Sequence, residues 1–235
     1  VTSPVYYLPI ATTLLAAIFC IALLRRYSMR RQGAHLLWWA AGMLSYGLGT
    51  ALESTIALDG NTVERTKLWY IAGALLGGYP LAQGTVYLLA PRRLADRLTW
   101  ITLPAIALLA ALVVVSPVDL AALEPHRPSG ALLAWRWIRA LTPFVNVYAV
   151  VFLVGGAVQS ALRYARSPRP GDAARAIGNA SIALGGLLPA VGGLLAKTGL
   201  VEALYVAELV GLALIALGFR LNVAAPGARE VRERA

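Results

Sequence analysis

The stretch Leu68–Arg93, LWYIAGALLGGYPLAQGTVYLLAPRR, decides the fold class. Trp69 and Tyr70 mark one membrane interface, Tyr87 approaches the other, and Pro91-Arg92-Arg93 ends the run in a basic stop. Gly73, Gly77, Pro80 and Gly84 recur at helical spacing, and Gln83 is the one amide among apolar neighbours. The segment has the length and flanks of a membrane helix, and comparable runs recur along the chain.

Composition points the same way. Of 235 residues, 59% are hydrophobic and 14% charged, with a mean hydropathy of +0.68. Soluble domains carry nearer ~45–50% apolar and ~25% charged residues. Runs of about 20 residues, each able to cross a ~30 Å hydrocarbon core, fall near 6–24, 35–57, 68–90, 98–115, 140–162, 176–196 and 203–221. The expected architecture is therefore all-α: one polytopic domain over 1–235 with seven transmembrane helices and a short cytoplasmic tail at 222–235.

The formal charge of +10 comes from arginines between apolar runs, which is a topology signal and not a nucleic-acid surface. Fifteen of the 21 Lys and Arg residues fall in segments assigned to one side and six in those assigned to the other. This bias predicts the N-terminus outside and the C-terminus inside. No positive charge precedes the first run, so an uncleaved first helix is expected. The expected location is a bacterial-type cytoplasmic membrane, multi-pass, with anionic lipids at the cytoplasmic face; a membrane-protein partner or a homo-oligomer is compatible with the glycine-rich faces.

Spans one and five cross in the same direction, which permits a 3+1+3 parallel repeat. At a single offset, Leu24-Arg25, Arg31 and Gly33 lie over Leu162-Arg163, Arg169 and Gly171. Basic loops after membrane helices also look alike without common origin, so the match alone does not establish duplication.

The candidate site residues begin with two carboxyls. Glu53 shares a face of the second span with Gly42, Ser45 and Gly49; Glu208 shares one with Gly211 and Gly218 on the seventh. Each lies roughly 5–8 Å inside the outer surface. A carboxylate there is costly unless paired, protonated or wetted. One reading is a proton- or cation-responsive cavity open to the outside, lined also by Tyr46, Tyr79, Gln83, Asn146 and Tyr205. The other is structural, each glutamate reaching the interface to pair with Arg65, Lys67, Arg136, Arg139 or Lys197. Gly77-Gly78-Tyr79-Pro80 is a second candidate, because a glycine pair before a proline weakens a helix at mid-membrane; transporters use such breaks, while ordinary packing and kinks use them too.

Several chemistries lack their residues. A single cysteine, Cys20, makes an internal disulfide impossible, and the two histidines, His35 and His126, are expected on opposite sides of the membrane, so neither haem nor zinc is expected. The topology resembles that of the rhodopsins, but the seventh span has no lysine for a retinal Schiff base. No cofactor, metal site or enzymatic chemistry is expected. The sequence points to a transporter or sensor of a small solute or ion, with proton coupling through the glutamates. The alternative is a non-catalytic accessory or scaffold subunit of a membrane complex.

Overall fold

The computed structural model describes residues 4–225. All regular structure among them is helical apart from an isolated antiparallel bridge, Val118 to Leu133. A 3-10 turn at Pro4–Tyr7 leads into α1 (Leu8–Arg30), followed by α2 (Ala34–Asp59), α3 (Val63–Trp69), a π-helical stretch Tyr70–Leu75, α4 (Tyr79–Leu89) and α5 (Arg92–Val115). After a long connection come α6 (Arg136–Ala149), a second π stretch at Val150–Val154, α7 (Gly155–Ala165), α8 (Asp172–Lys197) and α9 (Val201–Ala224). These elements group into seven helical segments.

Among the described residues, five runs are long and apolar enough to cross a membrane: Pro4–Arg30, Arg92–Val115, Arg136–Ala165, Asp172–Ala196 and Val201–Ala224. Two of the expected spans differ for clear reasons. α2 is long enough but is diluted by Trp38, Trp39, Tyr46, four serine and threonine residues and Glu53. The third is not one helix: it begins early, at Val63, where Thr62 accepts a hydrogen bond from the Arg65 N–H at 3.2 Å, and it breaks between Leu75 and Tyr79. Gly77 and Gly78 offer no side-chain packing to hold the turn, and Pro80 supplies no N–H, so the ladder shifts to a Leu76 N–H bond on the Ile71 carbonyl before α4 restarts. The outer helices run beyond the expected ends because Arg25–Arg30 and similar flanks continue the same backbone bonds at the interface.

The chain forms two compact units, one ending at Ala149 and one starting at Val150. In the first, α1 and α2 are joined by a three-residue reversal in which Arg31 (φ 50°) and Gly33 (φ 102°) are left-handed. Thr13 meets Thr50, Ala16 meets Gly47 and Cys20 bonds the Ala40 carbonyl, a register that is antiparallel. The other face of α2 takes the third segment: Gly42 lies against Leu81, Gly49 against Gly73, and Trp39 donates to the Leu81 carbonyl. Gly42, Gly49 and Glu53 thus do share the contact face that their spacing predicts; Ser45 bonds the Ala41 carbonyl of its own helix. α5 returns antiparallel to the third segment, with Lys67 at its far end and Gln83 and Tyr87 at its near end. The 116–135 connection is held down by Asn61, which donates to the carbonyls of Glu124 (2.9 Å) and Arg127 (3.1 Å). Its Leu133 then joins Tyr70, Val113 and Ile138 in one apolar cluster.

The second unit rests on an antiparallel seam between α8 and α9. Gly178 faces Gly218, Gly185 faces Gly211 and Gly192 faces Ala207, so small residues meet at every second turn. With no Cβ at these positions, backbone approaches backbone and dispersion contacts replace the hydrophobic effect that lipid cannot supply. Asn179 donates to Asn222 at 2.9 Å and closes one end of the seam. The expected 222–235 tail is helical to Ala224, and residues 226–235, with Arg229, Arg232 and Arg234, lie outside the described residues.

Candidate functional site

Glu53 is placed by two glycines. Gly49, one turn earlier on α2, lets the third segment approach until a Cβ there would lie 3.0 Å from the Gly73 Cα. Gly73 in turn leaves space beside Trp69, whose indole nitrogen would stand 3.5 Å from a Cβ at that position. Into this close contact Trp69 Nε1 donates to Glu53 Oε1 at 2.7 Å, and Glu53 is only 3% exposed. The π stretch starts at the next residue, Tyr70, which shares a 2.7 Å hydrogen bond with the Thr142 hydroxyl on α6. Extra backbone width of this kind is common where a helix carries function.

Two of the five cations expected to pair with the glutamates, Lys67 and Arg65, bond helix ends. Lys67 donates to the Val114 (2.7 Å) and Ser116 (2.8 Å) carbonyls at the end of α5, and Arg65 donates to the Gly60 carbonyl at the end of α2. Both therefore cap helix C-termini, where orphan carbonyls and the negative pole of the macrodipole attract them.

Gln83 and Tyr79 belong to a second assembly, further along the third segment and beyond its break. Gln83 is fully buried. Its amide donates to Thr99 Oγ1 at 2.7 Å and to the Ala95 carbonyl at 3.2 Å, and its oxygen accepts from the Tyr148 hydroxyl. Thr99 also meets the Tyr87 hydroxyl at 3.0 Å, Tyr87 donates to Asp96 at 2.8 Å, and Asp96 is paired with Arg92. Tyr79 shares a 2.8 Å bond with Thr102 and its ring lies 5.8 Å from that of Tyr148. The assembly ties α4, α5 and α6 together, with every polar group of Gln83 engaged.

The remaining candidates are dispersed. Tyr46 is half-buried on α2, and Asn146 is exposed on α6. In the second unit Tyr205 is buried and Glu208 half-buried, one turn before the Gly211 contact of α9. Comparison with protein-family models, with curated proteins and with solved structures gave no match. The chain is an integral membrane protein by the length and apolarity of its helices.

Two residues central to these assemblies carry no local signal of their part. Trp69 reads as an interface marker, and Tyr148 as one more aromatic in an apolar run. Their partners lie 16 and 65 positions away, on other segments. Spacing along one helix can reveal a shared face; it cannot name the residue opposite.

Proposed function

We propose that this protein is a proton-responsive transporter or sensor for a small solute or ion, with Glu53 as its titrating group. One observation carries the reading: the Glu53 carboxyl on α2, 3% exposed and enclosed at a double-glycine contact, sits against a segment that is π-helical and then broken. Such a carboxyl can exchange a proton or hold a cation only when the segment facing it moves, and Leu76–Gly78 supplies the weak point for that movement. Trp69 acts as the positioning residue, since its N–H holds Oε1 in place. Glu208 has the corresponding part in the second unit. No enzymatic step belongs to this reading.

The same proposal places the N-terminus outside and the C-terminus inside a bacterial-type cytoplasmic membrane, on the fifteen-to-six charge bias. It also includes the parallel repeat. The offset of the loop match, 138 positions, carries Ala34–Asp59 onto Asp172–Lys197 and the start of α3 at Val63 onto the start of α9 at Val201. Gly33 and Gly171, which correspond at that offset, both precede their helices with left-handed backbone (φ 102° and 85°).

The test is reconstitution of the pure protein in vesicles, with pH-dependent flux and ligand binding followed for the native chain, Glu53→Gln and Glu208→Gln. The expected result is flux or binding whose pH dependence is flattened in Glu53→Gln. A second reading, an accessory subunit docking other membrane proteins, draws on exposed Asn146, an amide on a lipid-length helix that an interhelical hydrogen bond would satisfy. Absence of flux and binding in every form, with a stable co-purifying protein, would establish that second reading instead.

A further inference from the structure

The connection between α5 and α6, residues 116–135, is tied down at the end of α2 that carries Glu53. Glu53 lies on the same unbroken helix as Asp59, where α2 stops, and about 9 Å of helical rise separates the two. Just beyond that end the connection is fastened. The Asn61 backbone N–H donates to the Pro125 carbonyl at 2.7 Å, and its side-chain amide donates to the Glu124 and Arg127 carbonyls at 2.9 and 3.1 Å. Thr66 donates to Asn61 Oδ1 at 2.8 Å, which fixes that amide from the side of α3. Lys67 holds the start of the connection through the Ser116 carbonyl.

Further along, the connection reaches the segment that faces Glu53. Gly130 sits so near Tyr70 that a Cβ there would lie 2.7 Å from Cε2 of the ring. The ring has little room to give way. Tyr70 is 6% exposed, its hydroxyl shares a 2.7 Å hydrogen bond with Thr142, and it belongs to one buried cluster with Val113, Leu133 and Ile138. Trp69 and Trp135 pack against the same cluster. Because the Trp69 indole N–H bonds Glu53 Oε1, the cluster that Leu133 completes also backs the indole against the carboxyl. Tyr70 opens the π stretch that leads to the break at Leu76–Gly78. The segment facing Glu53 is thus weak at one end and held at the other by a loop.

We propose that residues 116–135 are a gate over Glu53. With Gly130 seated on Tyr70, the Trp69 indole stays on the carboxyl; when the connection lifts, the Trp69–Leu75 segment swings at Leu76–Gly78 and opens Glu53 to water and cations on that side. The gate rests on the transport reading for the part that Glu53 plays. Its fastening suits release as a unit: Asn61 alone makes three of the polar ties, and the Gly130–Tyr70 contact is apolar, so lifting leaves the backbone bonds of the helices intact. A loop of this kind sets when a site exchanges with its surroundings.

The experiment is labelling of the full chain in lipid nanodiscs by a water-soluble carbodiimide with glycine methyl ester, the adducts at Glu53 and Glu208 being followed by peptide mass mapping. Glu208, in the second unit, is the reference within each molecule. Gly130→Val pushes the connection off Tyr70, and Asn61→Leu removes the side-chain ties to Glu124 and Arg127. Each should speed labelling of Glu53 relative to Glu208 by about tenfold. Circular dichroism identifies a variant that fails to fold; should neither fold, brief cleavage of the connection in the native chain by a non-specific protease makes the same comparison. Unchanged labelling of Glu53 in a folded variant, or in the cleaved native chain, overturns the proposal and leaves the connection a structural tie. A rise shared equally by Glu208 overturns it too, because that reports general loosening. The readout is an adduct and not flux, so the two readings fail separately: flux with unchanged labelling removes the gate alone, and faster labelling without flux removes transport while the cover over Glu53 stands.

Discussion

The α8–α9 seam gives a prediction with a sign that depends on which glycine is changed. A Cβ added at Gly211 would lie 2.6 Å from the Gly185 carbonyl oxygen, 3.1 Å from Pro189 Cδ and 3.4 Å from Leu188 Cβ. The first neighbour is backbone and cannot rotate away, so the helices must separate by something like half an ångström. A gap of ~0.5–1 Å forfeits about a quarter to a half of each dispersion contact across it, and overpacking of this kind costs ~1–3 kcal/mol. Alanine returns ~0.5–1 kcal/mol of helix propensity, so Gly211→Ala should destabilise by about 1–2 kcal/mol overall. Gly193, on α8 itself, has nothing within 4 Å of an added Cβ. Gly193→Ala therefore collects only the propensity gain and should stabilise by ~0.5 kcal/mol. The predicted gap between the two alanine variants is about 2 kcal/mol, or roughly 30-fold in the unfolding equilibrium. Reversible unfolding in mixed micelles, read by circular dichroism, measures both. If Gly211→Ala matches or exceeds Gly193→Ala in stability, the close backbone approach is not present in the folded protein.

The Gln83 assembly predicts non-additivity. Gln83→Leu should cost ~1–3 kcal/mol by leaving Tyr148 and Thr99 without their amide partner, and Tyr148→Phe added to it should cost less than it does in the native background, a coupling that a double-mutant cycle resolves. Asn61→Leu should free the Glu124–Arg127 part of the long connection, since three side-chain bonds including the 2.8 Å one from Thr66 are lost together. Limited proteolysis should then cut that connection several-fold faster while the helical circular dichroism signal persists. Lys67→Met removes the cation from the C-terminus of α5 and should lower stability by ~0.3–1 kcal/mol; a neutral result would mean that water serves those carbonyls equally well.

The class of this protein was legible in the chain because lipid imposes simple demands: about 20 apolar residues per crossing, basic residues at one set of ends, and small residues where helices touch. Seven segments, the Gly42–Gly49–Glu53 face and the Gly211–Gly218 face follow from spacing alone. Spacing also marked Gly77-Gly78-Tyr79-Pro80 as a weak point, although whether it would kink or break depended on what packed beside it. Tertiary structure decided the partners. It put Trp69 on Glu53, sent Lys67 and Arg65 to helix ends and not to a carboxylate, and drew Gln83 and Tyr79 into an assembly remote from Glu53. Periodicity describes which side of a helix a residue occupies, while the rotation and register of neighbouring helices are set by the sum of many small contacts across the interface. Those contacts come from residues far apart in sequence, so the pairings existed only once the helices had packed.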